Sequence, residues 1–308
     1  MSNQFNKRVY GAAIIKSINS NYNADFSGQP RKLPNGIVYA TDKALKYSIR
    51  NYWKEVLNET VFYFKRLNED MNPYDLVGLY EKVFGSKVKD DSKEKILSNL
   101  LNAIDVKLFG ATFAPKGTGV DKKNISIHGI CQITHGLNKF VENVIYSEQI
   151  MAPFSTPGKE NEGEKGNTTL GSQSRLQEGH YVHHFSVNPK NIEDDVVRVE
   201  GNGLSDADIA KLKEGLRKGA TYYDSAAKSG TENELLLWIQ LKEGSKIVLP
   251  SFVSLIEVNE NKEIDLAKVK KLLSEAHIAG EIELIELYCN KSVTKVINEP
   301  TNSVFLEI

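Results

Sequence analysis

The chain opens with a short apolar run, RVYGAAIIKSI at residues 8–18, whose β-branched content predicts a strand. Polar and turn-forming residues follow: Asn19, Ser20, Asn21, Asn23, Asp25, Gly28, Pro30, Pro34, Asn35 and Gly36. They predict a loop of about twenty residues, longer than compact domains ordinarily use without a reason. A helix is expected from Thr41 or Asp42, either of which suits an N-cap. At about 100° per residue, Leu45, Ile49, Tyr52, Trp53 and Val56 fall in one sector and Lys43, Lys46, Arg50 and Lys54 in another. One face of this helix is for burial and the other is basic.

Residues 57–103 carry recurrent apolar positions (VFYFKRL, YDLVGLYEKVF, KEKILSNLLNAI) and predict helices. A glycine-containing, partly exposed segment runs to Asn124. Residues 124–134 then alternate, with Ile125, Ile127, Gly129, Cys131 and Ile133 facing one way and Ser126, His128, Ile130, Gln132 and Thr134 the other, as in a strand with one half-polar face. Another strand is expected at 142–152. Residues 153–174 are rich in Gly, Ser, Thr, Pro and Glu and predict a flexible, exposed stretch. A strand resumes at 180–187. A helix starts at Ser205 with Asp208 in capping-box position, buries Ile209, Leu212 and Leu216, and finds a C′ residue in Gly219. NELLLWIQL (233–241) alternates little, so both faces of that strand should be covered. From 250 onward apolar and acidic residues alternate.

With the insertions removed, the order is strand, helix, strand, strand, helix, strand. That is the ferredoxin-like order used by RNA-recognition domains. The expected class is therefore α+β, with a large insertion after the first helix and a hairpin insertion between the second and third core strands.

Composition adds little until charge is mapped. The chain has 308 residues, is 40% hydrophobic and carries a formal charge of −1. Up to Lys54, nine Lys or Arg oppose only Asp25 and Asp42, so this stretch carries +7 and the rest −8. Such separation can hold a polyanion on one surface of a nearly neutral protein. A solvated basic face without a ligand is the competing reading. Two cysteines, Cys131 and Cys289, without C-x-x-C spacing suggest a reduced, cytoplasmic protein without structural zinc. The apolar run at 9–15 is too short for a secretory signal or a membrane span.

Candidate chemistry is sparse. HYVHH (180–184) puts His180 and His184 on one strand face and His183 on the other, with no nearby carboxylate or thiolate constellation to complete a metal site. Asp25 is the only acid between Lys16 and Arg31. It could serve metal-free RNA cleavage or fix the loop by local hydrogen bonds, and the second reading is preferred. No P-loop, G-x-S-x-G or H-E-x-x-H occurs. A basic helical face and a long polar loop would suit a phosphate backbone. Gln132 on the half-polar strand face and the aromatics Tyr22, Phe26, Tyr39 and Phe109 would suit bases.

Several stretches resemble one family. They are RVYG from Arg8, NSNYNAD at 19–25, GQPR at 28–31, TDKALKYSIRNY at 41–52, KLFGA at 107–111, GICQIT at 129–134 and YDSAAKSG at 223–230. Their order and spacing over residues 8–240 resemble the backbone subunit of type I CRISPR Cascade complexes, in the subtype I-B and I-C branch. The resemblance implies a non-catalytic, hand-shaped protein without a cofactor. Its palm is RNA-recognition-like, its fingers insertion helical and its thumb a β-hairpin. On this plan residues 1–56, 124–145 and 181–308 form the palm with a C-terminal extension, 57–123 the fingers and 146–180 the thumb. Implied partners are a CRISPR RNA guide, target DNA through that guide, further copies of the chain and other Cascade subunits. Lys43, Lys46 and Arg50 match the helix that grips guide phosphates. Met151 and Phe154 are candidates for a wedge beside a displaced base, or for core. Asn21, Arg31, Gln132 and Lys228, with Phe109 and Gly110 in the KLFGA match, are further RNA or inter-subunit candidates. The NYNAD run departs from the Asn-Pro-Asn-Gly-Asp of many relatives. Asp25 does not align with the Asp that cuts target RNA in type III relatives, so that activity is not carried over from the resemblance; a metal-dependent ribonuclease using Asp25 and a monomeric RNA-binding module are the alternatives.

Overall fold

A computed structural model describes residues 4–141, 143–155 and 168–308. Its centre is the first apolar run, β1 (Val9–Ser20). Odd positions Val9, Ala13 and Ile15 point into one apolar cluster, and even positions Tyr10, Ala12 and Ile14 into another. A strand buried on both faces needs a layer on each side, and the chain supplies both.

The first layer is helical. A two-residue strand, β2 (Tyr39–Ala40), leads into α1 (Asp42–Glu55), which buries Leu45, Ile49, Tyr52 and Trp53. The next expected helical stretch is only partly so. Residues 57–75 are largely irregular, and α2 (Leu76–Phe84), α3 (Lys93–Leu101) and α4 (Ile104–Phe109) follow. The strand expected at 124–134 is two. After β3 (Ala111–Phe113), β4 (Ile125–Ile127) pairs with β3 in a separate hairpin. The chain then breaks at Gly129, which has φ +68°. A Cβ on Gly129 would lie 2.1 Å from the Gly110 nitrogen, so two glycine backbones touch where the alternating pattern predicted continuity.

Beyond the break, β5 (Cys131–Ile133) and β6 (Gly136–Asn138) join the main sheet, and β7 (Ile145–Ser155) enters a hairpin with β8 (Thr168–Val187). The stretch expected to be flexible at 153–174 is therefore strand at both described ends, and its middle lies outside the described residues. One edge of β8 pairs in turn with β7, β6 and β5. The other edge pairs with β1 from Leu176 to Val187, so the β7–β8 hairpin extends past the end of β1.

After a short α5 (Glu193–Arg198), α6 (Asp206–Tyr222) begins on the expected capping box, with Ser205 and Asp208 exchanging hydrogen bonds. Gly219 is not the C′ residue. It sits inside α6, where a Cβ would lie 3.1 Å from the Ser48 carbonyl oxygen, so the glycine serves close packing of α6 on α1. Trp53 Nε1 donates to the Lys211 carbonyl at 2.8 Å and fastens the same pair.

β9 (Thr231–Leu241) lies on the other side of β1, antiparallel to it, and is buried on both faces as expected. The second layer comes from the C-terminal stretch. A short helical turn at Phe252–Ser254, then β10 (Glu257–Val258), β11 (Ile264–Asp265), α7 (Ala267–Leu273) and α8 (Ala276–Ala279), with the residues joining them, place Phe252, Ile256, Ile264, Leu266 and Val269 against the even face of β1 and the odd face of β9. β12 (Ile282–Cys289) then joins β9. β13 (Val296–Ile297) completes a small sheet with β10 and β11, and β14 (Val304–Leu306) forms the outer edge. The main sheet runs β14-β12-β9-β1-β8-β6-β2.

Another tight approach is at Gly11, where a Cβ would lie 2.2 Å from the Leu237 oxygen and 2.3 Å from the Phe185 ring. Gly11→Ala should destabilise the fold by about 2 kcal/mol or more, read as a lower urea midpoint at unchanged slope. Gly171→Ala, whose Cβ would come no nearer than 3.8 Å to another atom, should leave that midpoint in place.

Candidate nucleic-acid interface

The candidate residues separate into two groups. The first surrounds α1. Lys43 is exposed and has no ion-pair partner among the described residues. Lys46 pairs with Asp42 one turn earlier, at 3.2 Å. Arg50 Nε lies 3.0 Å from Oδ2 of Asp105, a carboxylate with no exposure. Asp105 also accepts from the backbone N–H of Phe62 at 2.7 Å and of Tyr63 at 2.9 Å. A buried carboxylate needs such compensation, and Arg50 provides the charge. The basic stripe is thus uneven: one free ammonium, one locally paired and one guanidinium tied inward.

Phe109 closes this group and is buried. Its ring stacks on Trp53, with centroids 5.2 Å apart and planes at 21°, while Lys46 Nζ and the Arg50 guanidinium lie 5.5 and 5.3 Å from its centre. The next residue, Gly110, has φ +79°, and a Cβ there would lie 2.4 Å from the Ile127 oxygen. Gln132 is exposed beside the same break, and its amide nitrogen donates to the carbonyls of His128 and Gly129.

The second group lies where β1 ends. The backbone N–H of Asn21 donates to the Ala227 carbonyl at 2.7 Å, and its side-chain amide to the carbonyls of Gly28 (3.0 Å) and Ser174 (3.2 Å). One residue thereby joins the long loop, the hairpin and the 223–230 turn. Asn21 Oδ1 is buried without a hydrogen-bond partner among the described residues. Lys228 donates to the Tyr22 carbonyl, and burial pushes its ammonium down to about 8. Arg175 Nη1 donates to the Asn19 carbonyl at 2.8 Å.

The long loop is held at several points. Asp25 Oδ1 accepts from the Ser27 hydroxyl (2.7 Å), the Ser27 N–H (2.8 Å) and the Gln29 N–H (3.0 Å). These bonds, the Ser27 hydroxyl first, hold its carboxyl below the usual range. Asn23 Oδ1 accepts from the N–H and the hydroxyl of Thr41, both at 2.9 Å, and so ties the loop to the start of α1. Arg31 lies between these anchors, with its guanidinium 5.9 Å from the Phe26 ring centre. Met151 stands exposed on the hairpin. The Phe154 side chain lies outside the described residues.

Three features went unread in the sequence. Asp105 was signalled by a lone acid inside the apolar run NAIDVKLF. Arg175 had no signal beyond its charge. The third is a buried polar path. His183 Nδ1 lies 3.0 Å from the Thr134 carbonyl, so that nitrogen carries the proton and Nε2 accepts from the Tyr22 hydroxyl at 3.3 Å. His180 is also buried, and carboxylates do stand beside it: Glu234 at 2.6 Å from Nδ1 and Glu178 at 3.4 Å from Nε2. Neither is its neighbour in the HYVHH run. Among the described residues no cluster of three His, Cys, Asp or Glu is arranged to hold a metal ion, and no helix is long and apolar enough to cross a membrane.

This α+β architecture, a large antiparallel-centred sheet with a helical layer, is shared with solved structures. A chain from a structure described as "CRISPR RNA-guided surveillance complex, pre-nicking" matches with a TM-score of 0.58 at 12% identity, covering 98% of this chain and 96% of that one. A second, described as "CRISPR RNA-guided surveillance complex", aligns at a TM-score of 0.49 and 14% identity over 95% of each chain, a likeness too slight to argue from. No curated protein matches the sequence. The family model for CRISPR-associated protein Cas7 matches residues 7–275. The chain belongs to the Cas7 family.

Two tests follow from the buried groups. Asp105→Ala should destabilise the protein by about 3–5 kcal/mol, because Arg50 and two N–H groups lose their acceptor; denaturant unfolding reads this directly. Burial pushes His183 down to about 4 from 6.5, so the native ring stays neutral where the unfolded one takes a proton. Its contribution is present above pH 6.5 and is lost as pH falls toward 4, about 3 kcal/mol in all. The pH slope of stability in that window should flatten in His183→Gln.

Proposed function

We propose that the chain is a non-catalytic CRISPR RNA-binding subunit that repeats along a guide as the backbone of a type I Cascade surveillance complex, in the subtype I-B/I-C-like branch. The observation that carries this is the family match over 7–275, joined to a fold likeness that spans nearly the whole chain. Strand order supports the RNA-recognition-like palm. β9, β1, β8 and then β5 and β6 lie side by side, all antiparallel, with α1 and α6 packed together on one face. On that reading residues 57–123 are the fingers and 146–180, which include the protruding β7–β8 hairpin, the thumb. Lys43 and Arg31 face guide RNA or a neighbouring copy, Asn21 and Lys228 hold the loop that presents Arg31, and Met151 sits where a wedge would be needed.

Affinity on this account comes from phosphate contacts, while base pairing of the guide reads target DNA. The long loop uses the Asp25 carboxylate to hold its own turn, which favours the non-catalytic reading over a ribonuclease centred on that residue.

Purified protein should carry one RNA of discrete length with several copies bound; a monomer without RNA of defined size counts against the proposal. Lys43→Ala should lower the slope of log affinity against log salt by about 0.7 for single-stranded RNA, while Arg50→Ala should mainly lower stability. Assembled complex given guide-complementary RNA and magnesium should leave that RNA intact. Cuts at regular intervals, abolished in Asp25→Ala, would establish the enzyme instead.

A further inference from the structure

The sequence offered four aromatics for contact with bases, and three are already engaged. Tyr22 is 2% exposed and Phe109 6%, while Tyr39 packs against His135 at 5.5 Å. Phe26 is different: its side chain is fully exposed.

This ring does not stand on a loose loop. Asp25 Oδ1 gathers three donors from Ser27 and Gln29, the Asp25 N–H donates to the Gln29 carbonyl at 2.8 Å, and Gly28 turns the chain at φ +82°. Phe26 is held at the tip of that turn. Beside it, Arg31 is fixed by its own backbone: its N–H donates to the Asn23 carbonyl at 3.2 Å and its carbonyl accepts from Tyr39 at 2.9 Å. Its guanidinium lies 5.9 Å from the Phe26 ring centre, and its Nε is shut from water without a hydrogen-bond partner among the described residues. A π-face and a delocalised cation side by side form a surface on which any base can stack. A protein partner would want more apolar area than one ring, and the flanking residues Asp25, Ser27, Gly28 and Gln29 offer none.

We propose that Phe26, presented by the Asp25 turn beside Arg31, is a stacking platform for an unpaired base of the RNA this subunit carries. The proposal rests on the RNA-binding reading above and adds a base contact to its phosphate contacts. Because every base has a π-face, the platform is indifferent to guide sequence.

The test is Phe26→Trp in the full chain, titrated with a single-stranded uridine oligonucleotide. Native Trp53 and Trp238 have no exposure, so the added indole is the solvent-facing fluorophore. Its emission should be quenched as the oligonucleotide binds. Phe26→Ala should bind about 5- to 160-fold more weakly with an unchanged salt slope, since no phosphate contact is lost, and Phe26→Tyr should retain affinity. Unquenched emission, with Phe26→Ala binding as tightly as wild type, would overturn the platform while leaving RNA binding in place. Absence of oligonucleotide binding by the wild type would overturn both. If Phe26→Ala instead weakens self-association in RNA-free protein, measured by light scattering, the ring is a protein contact and the proposal fails.

Discussion

Burial of β1 on both faces is the constraint from which the rest of the architecture follows. Its odd positions require a helical layer and its even positions require a second cover, which the C-terminal stretch provides through Phe252, Ile256, Ile264 and Leu266. Gly11 marks how tightly this centre is filled: Phe185 and the β9 backbone occupy the space any larger residue would take. The same double cover removes both faces of the central strands from contact with a large ligand. Whatever the protein binds must meet it away from those faces, at strand ends, loops, the hairpin or the outer side of a helix. There Asn21 gathers the loop, the hairpin and the 223–230 turn through one amide.

That placement changes what an RNA-recognition-like strand order implies. A sheet in that order can offer an open face for bases, but here the C-terminal layer covers one face and α1 and α6 the other. Gln132, read from sequence as part of a half-polar face, instead serves the chain break at Gly129. On the proposed RNA-binding reading, aromatic contact would fall to the loop, where Phe26 is the exposed ring and Tyr22 is part of a buried path to His183.

What could be read in the sequence was whatever depended on periodicity or on a local cap. The two faces of α1, the Ser205–Asp208 box and the double burial of β9 all have that character. Elements set by distant partners were illegible. Alternation continued across Gly129, yet the approach of Gly110 breaks the strand there. Residues 168–174 look like linker by composition, but β7 gives their backbone partners and draws them into β8. Gly219 looks like a helix stop, and only the proximity of Ser48 explains a glycine inside the helix.

The +7 stretch was the most misleading signal, because charge counted along a chain ignores counterions that folding brings in. Lys7 meets Glu283, Lys16 meets Glu232, Lys46 meets Asp42, Arg50 meets Asp105 and Lys54 meets Glu55. Three of these acids come from far along the sequence, so part of the acidic remainder is the counter-charge of the basic segment. The cations left without an ion-pair partner among the described residues are Arg8, Arg31, Lys32 and Lys43. Arg8 lies over the buried Tyr10 ring, which leaves Arg31, Lys32 and Lys43 on the long loop and the first turn of α1. The free charge is smaller than the sequence count, and one of its members, Arg31, lies 5.9 Å from the Phe26 ring centre. A phosphate drawn to Arg31 would bring its base within reach of the one aromatic ring on that loop that packing has not already used.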